Sequence, residues 1–209
     1  MNKFYYEFET DAESSLIKIK NLPDNVKILS APRDKKEEKY YSYTLHYSDI
    51  NHAILYLEKA LQVEAPIEKD ALFEAAIIRY MKCFTSSKSG RKQLNPNKVF
   101  SNVPGEPLGC HAKFKEIRDS YIAHDQNDFL DVRMGLVLQN NELKGVVCPP
   151  VQATFLYEEN IEILLAMCRI TYCFIVNILD EEVNKIHQKY ENEWDIEAIR
   201  LLPEMELAL

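Results

Sequence analysis

Residues able to do chemistry are concentrated in one short stretch, Lys113-Phe114-Lys115-Glu116-Ile117-Arg118-Asp119-Ser120-Tyr121-Ile122-Ala123-His124-Asp125. Arg118 offers a fixed positive charge in a planar fork, Asp119 a carboxylate able to orient a neighbour, and His124 an imidazole that titrates near neutral pH. Phosphodiester cleavage can use all three. The guanidinium neutralises phosphorane oxygens, the imidazole moves a proton, and the acid orients either. Spacing sets a condition: at about 100° per residue, positions six apart on a straight helix point roughly 120° away from each other and lie ~9 Å apart along the axis. Arg118 and His124 of one chain therefore converge only if the helix ends near Ala123. By helical phase His124 continues the stripe of Cys110, Phe114, Ile117 and Tyr121, so a histidine capping the core or an interface is the alternative reading.

The chain around this stretch is basic. From Lys82 to Arg118 there are eight basic residues and two acidic ones, a local charge of +6, whereas the other residues carry 17 basic and 31 acidic groups. The whole chain stands at −8, which opposes any general attraction to nucleic acid or anionic lipid. A local patch of this kind is what RNA or nucleotide binding requires; a solvated, lysine-rich loop would look the same. Arg91, Lys92, Lys115, Arg79 and His111 are the candidate substrate contacts. His111 stands one turn before Lys115 and two before Arg118, on the same helical face. Arg79 interrupts an apolar run, so it either reaches a phosphate or pairs with an acid such as Glu74. The run Tyr40-Tyr41-Ser42-Tyr43 beside Lys39 offers rings for base stacking, or else a strand or packed edge.

Other chemistries lack their motifs: there is no GxSxG, P-loop, GxGxxG or HExxH. The five histidines and five cysteines (Cys83, Cys110, Cys148, Cys168, Cys173) make no recognised ligand spacing, so neither metal nor cofactor is expected. The absence of CxxC and of a paired framework points to a reducing compartment. The start, Met-Asn-Lys-Phe-Tyr-Tyr-Glu-Phe-Glu, carries acid where a signal peptide would be apolar. The most apolar stretch, Ile161 to Leu179, contains Glu162, Arg169 and Asn177, which suits a core helix better than a membrane span. The expectation is a cytoplasmic protein with no membrane association.

These residues need a scaffold, and 209 residues with 46% hydrophobic content can bury a core without disulfides. Residues 1–47 read as a small β-like appendage, with short runs at Leu16 to Ile19 and Val26 to Leu29, and residues 48–209 as the main domain. Ile50, Ala53, Ile54, Leu57 and Leu61 predict a helix over about 49–63. A second opens at Glu68 and runs through Leu72, Ala75, Ala76, Tyr80 and Cys83. Residues 86–109 hold three of the five glycines and three of the nine prolines, a connection long enough to be functional or mobile. A third helix, about 107–124, carries the chemistry. Val132 to Leu138 and Leu143 to Cys148 flank Gln139-Asn140-Asn141-Glu142 as a β-hairpin, and a long helix extends from about Glu158 to Tyr190. The sum is a mainly α protein: an antiparallel bundle of about four helices with an inserted β-hairpin.

Arg118-Asp119-x4-His124, within a bundle of this order, resembles the HEPN superfamily, whose members carry an Arg, a polar residue and then a His, with four to six positions between Arg and His. The resemblance covers about residues 48–190. It implies a metal-independent endoribonuclease, often a toxin or phage-defence effector, that leaves a 2′,3′-cyclic phosphate and a 5′-hydroxyl. It also implies a homodimer in which two motifs face one cleft, with RNA as substrate; an antitoxin or effector protein is the partner that a docking role would take. Gln126 stands where several toxin members have Tyr. That departure keeps open a non-catalytic module for dimerisation or partner docking, and the basic cleft keeps open a nucleotide-binding sensor.

Overall fold

The computed structural model describes residues 8–10, 17–19, 26–32, 34–86, 90–122, 130–132, 134–147, 150–152 and 158–205. The protein is mainly helical, with paired short strands, as its periodicity predicts. Two compact units divide it, Lys39–Glu182 on one side and Met1–Glu38 with Val183–Leu209 on the other. The expected boundary at residue 47 falls inside a helix.

In the larger unit, α1 (Glu38–Ala60) and α2 (Pro66–Lys82) are joined by a short turn. Pro66 opens α2 as its first residue, where a missing N–H costs nothing. α1 begins eleven residues before the position that its apolar stripe suggests, so Tyr40-Tyr41-Ser42-Tyr43 is helical rather than a strand. α4 (Pro107–Glu116) comes after the short α3 (Pro96–Val99), and α5 (Glu158–Glu193) closes the bundle. Contacts fix the directions. Lys39 bonds Glu182 and Arg169 bonds Glu58, so α1 and α5 run antiparallel. Asp49 meets Arg79 and the His46 carbonyl meets Cys83, so α1 and α2 do likewise. Phe73 packs on Phe114 and Tyr80 on His111, which makes α2 and α4 antiparallel too.

The core takes one stripe from each helix: Ile50, Ala53 and Leu57 from α1, Phe73, Ile77 and Met81 from α2, Phe114 from α4, and Ile161, Leu164 and Cys168 from α5. By length and composition α5 could cross a membrane, and its apolar face here is spent on this core.

The connection after α2 is built rather than loose in its described residues. Leu94 N–H donates to the Cys83 carbonyl at 2.8 Å, Asn95 caps α3 by accepting from Asn97 N–H at 2.9 Å, and Leu94, Val99 and Phe100 are buried. Strands β4 (Gly135–Gln139) and β5 (Glu142–Val147) form the expected hairpin, with Asn140 and Asn141 at φ 51° and 62°. That left-handed pair makes the type I′ turn that matches strand twist. β3 (Leu130–Val132) and β6 (Pro150–Gln152) pair just below it.

In the smaller unit, β1 (Phe8–Thr10) pairs antiparallel with β2 (Ile17–Ile19), as the first β-like run suggests. The second run makes no strand of its own. Instead Ser30 N–H donates to the Pro203 carbonyl and Met205 N–H to Ile28, tying it to the chain after α6 (Ile196–Arg200). Lys189 bridges Asp34 and Glu37 at 2.8 and 2.9 Å.

Candidate functional site

The α-helical pattern of α4 ends at Glu116, and Ile117–Ile122 forms one π-helical stretch packed on α2. A π turn inserts extra backbone, rotates the helical phase of the residues beyond it, and recurs at functional sites. Ile117 is buried, anchoring the turn, and Arg118 and Asp119 come next. Asp119 is held from both sides: Lys115 Nζ donates to its Oδ2 at 2.8 Å, and Arg118 Nε lies 2.7 Å from its Oδ1. The second approach is an ion pair without hydrogen-bond geometry. Arg118 Nε is sealed from water and has no hydrogen-bond acceptor among the described residues, a costly condition for a buried N–H. Lys113 Nζ reaches Asn160 Oδ1 at 2.7 Å. Arg118, Asp119 and Lys115 are thus together, and His124 lies outside the described residues.

Of the other candidates, His111, Arg79 and Arg91 are spent elsewhere. His111 is buried, with Nδ1 2.8 Å from the Tyr80 hydroxyl and its ring against Phe84 and Phe100. Burial, assisted by the Lys115 charge, lowers its pKa, so it is a neutral core histidine rather than a phosphate contact. Burial also pushes the Tyr80 hydroxyl well up, which keeps it protonated. Arg79 pairs with an acid, as one of its two readings holds, but with Asp49 at 2.8 Å rather than Glu74. Arg91 meets the same carboxylate at 2.6 Å. Lys92 keeps an exposed side chain while its carbonyl binds His46.

A buried polar cluster that no motif announces surrounds Asp49. His46 has no exposed surface; its Nε2–H donates to the Lys92 carbonyl at 2.6 Å, and its Nδ1 accepts from Arg91 Nε at 3.0 Å. Both ring nitrogens are committed, so the tautomer is fixed. Burial foremost, with the Arg91 charge, lowers its pKa to about 4. Burial alone would raise Asp49, yet the hydrogen bonds and charge of Arg91 and Arg79 outweigh it and hold the carboxyl below its usual range. Cys83, beside them, is pushed up to about 12 by burial and is an inert thiol. The sequence signal was available: His46 and Asp49 occupy the core phase of α1, in step with Ile50 and Ala53, where an unpaired charge would be too costly to bury.

Among the described residues no group of three or more His, Cys, Asp or Glu gathers as a metal site. No family model, curated protein or solved structure matches this chain.

Proposed function

We propose that the chain is a HEPN-like endoribonuclease whose Arg118 binds the scissile phosphate. The observation that carries the reading is the Arg118 guanidinium on the π turn beside Lys115, with a buried Nε–H that has no hydrogen-bond acceptor among the described residues and only an ion pair to Asp119. The side chain is 27% exposed, so a phosphate would meet the outer edge of the guanidinium, and the sealed Nε–H would be served only as the turn opens. In the proposed step the ribose 2′-hydroxyl attacks the adjacent phosphorus, the bond from 2′-oxygen to phosphorus forms, and the bond from phosphorus to 5′-oxygen breaks. His124 takes the 2′-hydroxyl proton, the departing 5′-oxygen takes one from water, and Asp119 positions the guanidinium. Two chains would supply the pair of motifs.

The test is RNA cleavage in excess chelator by the parent, Arg118→Ala and His124→Ala proteins, with end-group analysis. Cleavage to 2′,3′-cyclic phosphates that falls at least ~100-fold in each variant is expected. An inactive parent, or cleavage indifferent to both changes, refutes it. A second reading, a non-catalytic docking module, draws on Asp119 being occupied by both Lys115 and Arg118; an inactive parent whose His124→Ala variant loses its oligomeric state would favour it.

A further inference from the structure

We propose that one face of the β4–β5 hairpin is the docking surface for the same face of a second copy of this chain. Cross-strand partners share a face, and the register pairs Leu136 with Val146 and Leu138 with Leu143. Between them Val137 pairs with Gly145, so Lys144 is an extra, bulged residue. Without the bulge, Leu143 would point to the opposite face from Val146, because side chains alternate along a strand. With it, Leu136, Leu138, Leu143 and Val146 line one side, and Met134, two residues before Leu136, extends the row. Their exposures run from 54% to 74%. The reverse side is thinner, each of its apolar pairs joining a valine to a glycine, Gly135 with Val147 and Val137 with Gly145, the valines being 49% and 41% exposed; a Cβ on Gly135 would lie 3.0 Å from Val147 Cγ2.

A two-stranded ribbon is marginal in water by itself, and a clean apolar face of this size on a monomer marks an interaction site. Charge and area favour a second copy as occupant. The side chains of the face are uncharged, and the neighbouring Lys144 is paired with Glu142 at 2.5 Å, so nothing demands a partner of opposite sign. A chain at −8, whose one cation among the described residues of this hairpin, Lys144, is paired with Glu142, has poor attraction for anionic lipid. Five such side chains offer roughly 500 Å² per copy, or about 1,000 Å² for two facing hairpins, the lower bound of a specific interface. Apposed faces about 10 Å apart form an isologous two-fold sandwich.

The proposed nuclease also calls for two chains but brings their Arg118 motifs together, so the hairpin substitutions and the amide exchange, not the presence of a dimer alone, distinguish this surface. Sedimentation velocity of the full chain from about 1 to 100 μM should show a concentration-dependent dimer. Leu136→Glu with Leu138→Glu should weaken it at least ~10-fold, while Val137→Thr, on the reverse side, should leave it unchanged. Far-UV circular dichroism checks that each variant is folded. Amide exchange across residues 135–147 should slow as the parent is concentrated, which reads the face directly without any variant. A parent monomeric at 100 μM, a dimer untouched by the double substitution, or exchange independent of concentration overturns the proposal. Capture of a monomeric parent by phosphatidylcholine vesicles would overturn it in favour of lipid.

Discussion

His46 should make the stability of this protein fall with acid in a window set by one ring. The free imidazole titrates near 6.5 and the buried one at about 4. Between those values the unfolded chain binds a proton that the folded chain refuses, so the contribution is complete above about pH 6.5 and is lost as pH falls toward 4. Some 2.5 pH units at ~1.4 kcal/mol each give about 3.5 kcal/mol as the limit, and because titration is incomplete at both ends of the pH 7 to pH 4 window the change read there is about 2–3 kcal/mol. Burial is the main cause. The groups facing the ring are Arg91, which opposes the proton, Asp49 on the same helix, which favours it, and the Lys92 carbonyl, already served by Nε2–H. Protonating Nδ1 would replace an acceptor for Arg91 with a donor aimed at a cation.

The assay is urea unfolding of the parent and His46→Gln from pH 7 to pH 4. Glutamine is uncharged throughout, so the variant should start less stable and its curve should be flatter by about 2–3 kcal/mol over the window, or roughly 5–10 °C in Tm for a chain of this size. Asp70 and Glu74, both raised by burial, occur in both proteins and cancel. Parallel curves for the two proteins would refute the assignment.

Asp49→Ala leaves Arg91, whose side chain is 12% exposed, without its anion, while Arg79 at 35% can turn to water; the loss in chemical denaturation should be about 3 kcal/mol, and less than ~1 would contradict the geometry. Tyr80→Phe removes the partner of buried His111 Nδ1 and should cost about 1–2 kcal/mol by the same measurement, an unchanged midpoint being the contrary result.

The legible parts of this fold are those whose cause is local. The stripes of α2 and α5 obey the 3.6-residue period, and the hairpin turn is written in Asn140-Asn141, two residues that tolerate positive φ. The hidden parts depend on distant partners. α1 begins early because Ser42, His46 and Asp49, polar residues that break the apolar pattern, are served by Arg91 and Lys92 about 45 residues away. The choice of Asp49 over Glu74 for Arg79 is of the same kind, since Glu74 is near in sequence but five residues back on the same helix, about 140° round from Arg79, whereas Asp49 is brought in by another helix. The π turn at Ile117–Ile122 has no composition mark at all.

Charge counting along the chain also misjudges which arginine a phosphate could recruit. Arg79 and Arg91 share Asp49, and Arg91 spends further donors on His46; drawing Arg91 away would unpair a buried carboxylate and leave an imidazole without its donor. Arg118 differs in kind. Its Nε–H has no hydrogen-bond acceptor among the described residues, and its 2.7 Å ion pair with Asp119 lacks hydrogen-bond geometry, so an incoming phosphate would compete with one carboxylate that Lys115 also holds rather than dismantle a buried pair. The basic segment from Lys82 to Arg118 is therefore less cationic toward a ligand than its +6 suggests, because Arg91 is neutralised within the fold. Any pull on RNA from this segment rests on its lysines and Arg118. By that reasoning the salt dependence of RNA binding should track those groups and be indifferent to Arg91.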